Sequence, residues 1–271
     1  MNTDAIRLRT LVAAVMINVL GACTTLNDTG PDKTWPASKL YKAGKTALDS
    51  ADYETALEYF ETLESRFPFG RYAQQAQLDV IYAYYKFDEP ESAIAAADRF
   101  IKLYPRHPKV DYAYYMRGLA SFNKGMGGLD YFFNLDPTQR DPRSARESFR
   151  YFAELVKLFP DSIYRNDALQ RMVYLHNNLA KHEIHVADYY MRRGAELAAV
   201  NRAKYVIENY QRTPAAIDAL VILVKAYRRL ELDDLAADAL RVLELNAPEH
   251  PQLAELKNPA AASSHAADHE D

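Results

Sequence analysis

The sequence predicts an all-α chain, a right-handed superhelical solenoid of five helix pairs, and three observations predict it. Glycine is scarce, at 9 of 271 residues. Val/Ile-rich alternating runs are lacking, and apolar residues recur at three- and four-residue spacings instead. Above all, one spacing returns five times. Ala56, Phe60 and Leu63 precede Pro68 by 12, 8 and 5 residues, and Ala93, Ala97 and Phe100 precede Pro105 by the same intervals. Ser148, Phe152 and Leu155 stand likewise before Pro160, and Ala236, Leu240 and Leu243 before Pro248. Ala199, Ala203 and Val206 hold the spacing before Gln211, the proline lost.

This pattern is the second-helix half of a tetratricopeptide-type repeat. A small first residue lets paired helices approach closely, the larger ones fill the seam, and proline stops the helix. The first-helix half is legible as Leu40, Ala43, Gly44 and Ala47 in repeat one, and as Leu220, Leu223, Val224 and Tyr227 in repeat five. Repeats one to three span 37–160, and repeats four and five span 161–248. Repeat three carries about 18 extra residues within 123–142, where glycines at 125, 127 and 128 break the helix. Phe132 and Phe133 there require burial, either in a loop that plugs the superhelix or in a flap over a binding surface. Residues 164–193 read as one long helix or as two with a break near Lys181.

The ends differ from this body. Arg7 and Arg9 open the chain, Leu11 to Leu20 is almost wholly apolar, and Gly21-Ala22 precede Cys23, the only cysteine. An apolar stretch of ten residues is half of the roughly 20 that a helix needs to span a bilayer, so 1–22 read as an export signal. Leu20-Gly21-Ala22-Cys23 resembles the bacterial lipobox. That resemblance implies a Cys23 carrying covalent diacylglycerol and an N-acyl chain, and a lone thiol has no internal disulfide partner. Several acyl chains anchor firmly where a single one holds reversibly. Thr24, not aspartate, follows Cys23, which favours the outer membrane. Residues 23–36 read as a flexible linker and 249–271 as a disordered tail. His265 and His269 in that tail read as solvated.

Residues 1–22 carry Arg7, Arg9 and Asp4, so losing them takes the formal net charge from −4 to about −5. A mildly acidic body gives no electrostatic reason for nucleic acid or for direct contact with lipid headgroups. Membrane contact is then expected through the lipid anchor only. Catalytic signatures are thin. His182-Glu183-Ile184-His185 has its histidines at i and i+3, whereas a zinc-protease helix needs i and i+4, so it reads as helix surface. Neither a phosphate-cradling loop nor a nucleophile elbow is present, and with the cysteine acylated no thiol nucleophile remains. No enzyme, no metal and no dissociable cofactor are expected.

What a helical solenoid offers is surface. Tyrosine is abundant, at 20 residues, and clusters on first helices as Tyr82, Tyr84 and Tyr85 and as Tyr112, Tyr114 and Tyr115. Part of each triplet is expected to face a groove and part to pack between repeats. Gln74, Gln77 and Arg117 are expected to add hydrogen-bond donors there.

Four stretches, 66–86, 98–119, 140–146 and 179–210, together resemble the BamD family, lipoproteins of the bacterial machinery that assembles outer-membrane β-barrels. The resemblance runs from about 36 to 248 and takes in the lipobox and the repeat-three insertion. It implies an N-terminal half that recognises unfolded β-barrel precursors, matched here by Phe67, Pro68, Phe69, Gly70, Tyr72, Gln74, Gln77, Tyr82, Tyr84, Tyr85 and Arg117. Phe67 stands where a tyrosine is usual. It implies a C-terminal half that docks the last periplasmic POTRA domain of BamA, with Asn201 and Arg202 at the family's contact position, and a further lipoprotein partner, BamC. The implied place is the periplasmic face of the outer membrane. A rival from another class is a pilotin-like tetratricopeptide lipoprotein that escorts secretin subunits, which would lack the "RDP" insertion and the "AVNRA" stretch.

Overall fold

The computed structural model describes residues 34–124, 136–139 and 141–258. Among them the chain is helical without strands, and the helices pair in chain order. Helices α1 (Ala37–Asp49) and α2 (Tyr53–Arg66) form the first hairpin, and α3 (Arg71–Lys86) and α4 (Pro90–Leu103) the second. Helix α5 (Val110–Lys124) pairs with α6 (Arg143–Leu158), and α7 (Arg165–Arg192) with α8 (Glu196–Asn209). Helices α9 (Pro214–Arg229) and α10 (Asp233–Asn246) make the fifth pair, followed by the short α11 (Leu253–Lys257). The expected five helix pairs are present.

The turns inside four of the pairs share one design. Ala51, Asp88, Gly194 and Glu231 take φ of 61°, 60°, 68° and 58°. The next residue's N–H then reaches back to a carbonyl five positions earlier, as in Glu89 to Tyr84 at 2.9 Å and Leu232 to Tyr227 at 2.9 Å. This is a Schellman closure, which satisfies last-turn carbonyls of the first helix of the pair. Only one of the four is glycine, so the other three carry the left-handed strain with a side chain. On α2 the start is reinforced by Asp52, whose carboxylate accepts from the Thr55 N–H at 3.2 Å.

Large faces small across the seam in the first three pairs. Gly44 faces Phe60 and Gly118 faces Phe152, and a Cβ on either glycine would come within 2.6 or 2.5 Å of the ring. In the second pair the sizes invert, with Ile81 and Ala97 at the corresponding places, both fully buried. One large and one small side chain fill the same gap from either side.

The chain divides into two compact units between Ala76 and Gln77, inside α3. In the first, Leu40, Gly44, Ala47 and Leu48 of α1 and Ala56, Phe60 and Leu63 of α2 are buried. Trp35 belongs to this unit and corrects the expectation of a flexible linker through 36. Its ring stacks on Tyr59 with centroids 5.9 Å apart, Lys39 Nζ lies 3.9 Å above it, and its carbonyl accepts from Arg66 at 3.0 Å.

Among the described residues of the second unit, one apolar cluster gathers around Phe100, Phe152 and Leu155 and another around Val206, Val224 and Leu243. Packing is continuous through 160–161, where the two working halves were expected to meet. Ser162 Oγ donates to Asp111 at 2.6 Å, and Tyr115 stacks on Tyr164 at 4.6 Å. Helix α7 is a single 28-residue helix, which closes the alternative of a break near Lys181. No glycine or proline interrupts it. The expected disorder from 249 is also corrected: Leu253 and Leu256 are buried, and the Leu256 carbonyl accepts from Arg228 at 2.5 Å. Cys23 with the export signal, Phe132, Phe133, the three insertion glycines, His265 and His269 lie outside the described residues. Among the described residues no helix is long and apolar enough to cross a membrane.

Candidate functional site

The residues expected to form a precursor-binding groove fall in both units. In the first, Phe69 is 90% exposed at the corner between α2 and α3. Gly70 beside it has φ of 105°, a conformation that only glycine holds without strain. Pro68 is exposed, and Phe67 is half-buried with the Arg66 guanidinium 5.1 Å from its ring. Tyr72 packs on Tyr41 at 5.6 Å, and Gln74 is half-buried. In the second unit, Tyr82 is exposed and Tyr84 half-buried, while Tyr85 Oη accepts from Asn123 Nδ2 at 2.9 Å. Gln77 is buried, and its Oε1 has no hydrogen-bond partner among the described residues.

Arg117 is corrected from a groove donor to an internal bolt. It is buried between the rings of Tyr114 and Tyr151, at 4.9 and 4.3 Å, and its two Nη atoms bond Asp98 of α4, at 2.7 Å, and Glu154 of α6. The second tyrosine triplet is likewise committed to packing. Tyr112 meets Tyr164, Tyr114 meets Phe159, and Tyr115 donates to Asp167 at 2.7 Å. Burial, then the hydrogen bond to Asp167, pushes the Tyr115 phenol up to about 12.

The His182–His185 stretch is corrected too, for it is not free helix surface. His182 Nδ1 meets the Thr138 carbonyl at 2.9 Å and His185 Nε2 meets Thr138 Oγ1 at 2.8 Å. Thr138 also donates to Asp136 at 2.6 Å, and Lys181 reaches Asp136 at 3.4 Å. The 3-10 turn Pro137–Gln139, near the end of the repeat-three insertion, is thereby clamped onto α7. Among the described residues no group of three His, Cys, Asp or Glu could hold a metal ion.

Between the two histidines sits Glu183, which sequence reasoning missed as anything but surface. It is 1% exposed. Arg202 Nη1 of α8 donates to its Oε2 at 3.0 Å, and Arg146 Nη2 of α6 to its Oε1 at 3.1 Å. A signal existed in the repeat. Glu183 precedes Ala199 by 16 residues, the interval by which buried Leu40 precedes Ala56 and buried Leu220 precedes Ala236. A carboxylate thus occupies a core position of the repeat. Asn201, beside Arg202, is exposed. Farther along α7, a cavity of about 540 Å³ opens against α9 and the segment before α11, with Lys181, Asp188, Asp218, Lys225 and His250 among its walls. Burial there pushes the Asp218 carboxyl above its ordinary range.

A profile of the family YfiO, described as an outer membrane lipoprotein, matches residues 33–243. The chain is 47% identical to the outer membrane protein assembly factor BamD of Neisseria meningitidis serogroup B, over 86% of this chain and 89% of that one. It is 39% identical to the BamD of Vibrio cholerae, over 88% and 98%, and 34% identical to that of Xylella fastidiosa Temecula1, over 92% and 84%. Among solved structures, a thermophilic TPR protein of Thermus thermophilus aligns over 84% of this chain and 98% of its own, at a TM-score of 0.34 and 14% identity. The repeat architecture rests on the helix pairs themselves. By the profile match and by these relatives, the chain belongs to the YfiO family of outer membrane lipoproteins, the family of the outer membrane protein assembly factor BamD.

Proposed function

We propose that this chain is a non-enzymatic scaffold, acylated at Cys23 and held at the periplasmic face of the outer membrane. There it binds the last POTRA domain of BamA and unfolded β-barrel precursors, and promotes their folding and insertion. The observation that carries the reading is family membership over 33–243 joined to the half-exposed side chain of Arg202 on α8. A planar fork of donors suits a carboxylate on a folded partner. For the precursors, the exposed Phe69 corner of the first unit and, taken by itself, the exposed Tyr82 of the second are features suited to an extended apolar segment. Tethering raises the effective concentration of both partners, so modest contacts suffice. BamC is a further partner by the same resemblance.

The test is depletion in cells followed by quantification of the outer membrane. A general fall in β-barrel proteins, with BamA co-purifying from solubilised envelopes, is the expected result. Loss of secretin multimers alone, with other barrels intact, would hand the function to the pilotin-like rival. Labelling with a radioactive fatty acid should mark the wild-type chain and leave a Cys23→Ser chain unmarked.

A further inference from the structure

Resting on the reading above for the identity of the partner, we infer that Arg202 does not act alone: Arg146, Arg202 and Glu183 form one paired-guanidinium receptor for a carboxylate on the docked partner, with Glu183 as its positioning residue. The three come from three helices, α6, α8 and α7, and meet at the buried carboxylate of Glu183. Each arginine spends one Nη on Glu183 and keeps about half of its side chain in solvent, 50% for Arg146 and 46% for Arg202. Each guanidinium has N–H groups beyond the one spent on Glu183, and both side chains reach solvent beside that carboxylate. Two adjacent guanidiniums repel, and the carboxylate beneath them holds the pair together. The patch extends along α8 to Tyr205, which is 40% exposed and rests edge-on against Tyr210 at 5.9 Å. Arginine beside tyrosine is the composition that dominates the energetics of docking surfaces.

The core position of Glu183 strengthens the inference. Repeats one and five fill the equivalent place with Leu40 and Leu220, so the fold accepts an aliphatic side chain there. Burying an ion pair in place of an apolar residue brings no net stability as a rule. A carboxylate at this point is therefore explained by what it does to the two arginines above it, not by packing.

Glu183→Leu and Glu183→Gln separate positioning from simple charge, because each variant raises the local net charge by one. If the patch attracted an acidic partner only through its field, both variants would bind more tightly. If Glu183 positions the forks, both bind more weakly, by about tenfold or more. The assay is binding of the full chain, purified in detergent, to the purified POTRA domains of BamA, with circular dichroism confirming that each variant is folded. Arg146→Ala supplies an arm that does not depend on Glu183 variants folding. It should weaken binding comparably to Arg202→Ala, and the double variant should cost less than the sum, since the two act as one unit. Unchanged affinity in Arg146→Ala, or tighter binding in either Glu183 variant, overturns the receptor while leaving Arg202 as a lone contact. A wild-type chain that fails to bind the POTRA domains overturns the partner reading and this inference with it.

Discussion

Gly118 of α5 lies against the ring of Phe152 of α6 so closely that a methyl group on it would sit 2.5 Å from Cε1. The same relationship joins Gly44 and Phe60 two repeats earlier, at 2.6 Å. Both phenyl rings are fully buried, so neither can swing away into solvent. Gly118→Ala gains helix propensity worth about 0.5–1 kcal/mol, but overpacking a closed seam costs about 1–3 kcal/mol. The expected outcome is a net loss of up to about 2.5 kcal/mol in denaturant unfolding. A companion Phe152→Leu change should recover part of the loss, as the inverted Ile81–Ala97 pair of repeat two implies. Additive costs in the double variant would show that the ring and the glycine do not share the gap.

The turn design gives a second prediction. Glu231 holds φ of 58° with a side chain, whereas the equivalent Gly194 holds 68° without one. Left-handed backbone costs a non-glycine residue about 1–2 kcal/mol, offset in part by the entropy glycine loses on folding. Glu231→Gly should therefore stabilise by a few tenths of a kcal/mol up to about 1, and Gly194→Ala should destabilise by about 1. Thermal unfolding of the two single variants, which shift in opposite directions, checks the assignment.

Much of this architecture was legible because the repeat constrains small residues. The spacing of Ala56, Phe60, Leu63 and Pro68 reports a seam, and seams leave a periodic trace in any chain that stacks hairpins. Arg117 and Glu183 were not legible in the same way. A charged residue in a helix gives no sign of whether its head meets water or a counter-charge from another helix. Arg117 draws Asp98 and Glu154 from 19 residues before and 37 after, and no local pattern encodes that. Glu183 was readable only by aligning the repeats and asking why a core place filled by Leu40 and Leu220 in repeats one and five is charged here, where repeat two has the neutral Gln77. Trp35 and Leu253 were misread because their flanks are rich in turn formers, while a single large apolar side chain is enough to dock each segment.

The bolt formed by Arg117 is structural, which yields a third prediction. Arg117→Ala strips both Asp98 and Glu154 of a partner and removes the cation between two tyrosine rings. The two carboxylates are 49% and 44% exposed, so water re-solvates much of their charge. The expected cost is nearer to about 1–2 kcal/mol than to the roughly 3–5 of a fully buried pair. On the proposed function, the folded variant should bind unfolded β-barrel segments as the wild type does, measured by crosslinking or fluorescence anisotropy at a temperature where it is intact. A selective loss of precursor binding without a change in stability would return Arg117 to the groove.

The clamp on the repeat-three insertion is expected to be acid-sensitive in a defined window. The Thr138 hydroxyl, then the Thr138 N–H, holds the Asp136 carboxyl at about 2, below its ordinary value near 4. A depressed carboxylate contributes its stabilisation in full above the unfolded value, and the contribution is lost as the pH falls through the folded one. The contribution of Asp136 to the docking of 136–139 on α7 is therefore full above about 4 and is lost between about 4 and 2. Asp136→Asn removes the titrating group, so its docking should be weaker at neutral pH and nearly flat across that window. Protection of the Thr138 amide against hydrogen exchange, corrected for the intrinsic pH dependence of exchange, reads the effect directly. A wild-type profile as flat as that of Asp136→Asn would mean that the histidine contacts of α7, at His182 and His185, hold the turn without the carboxylate.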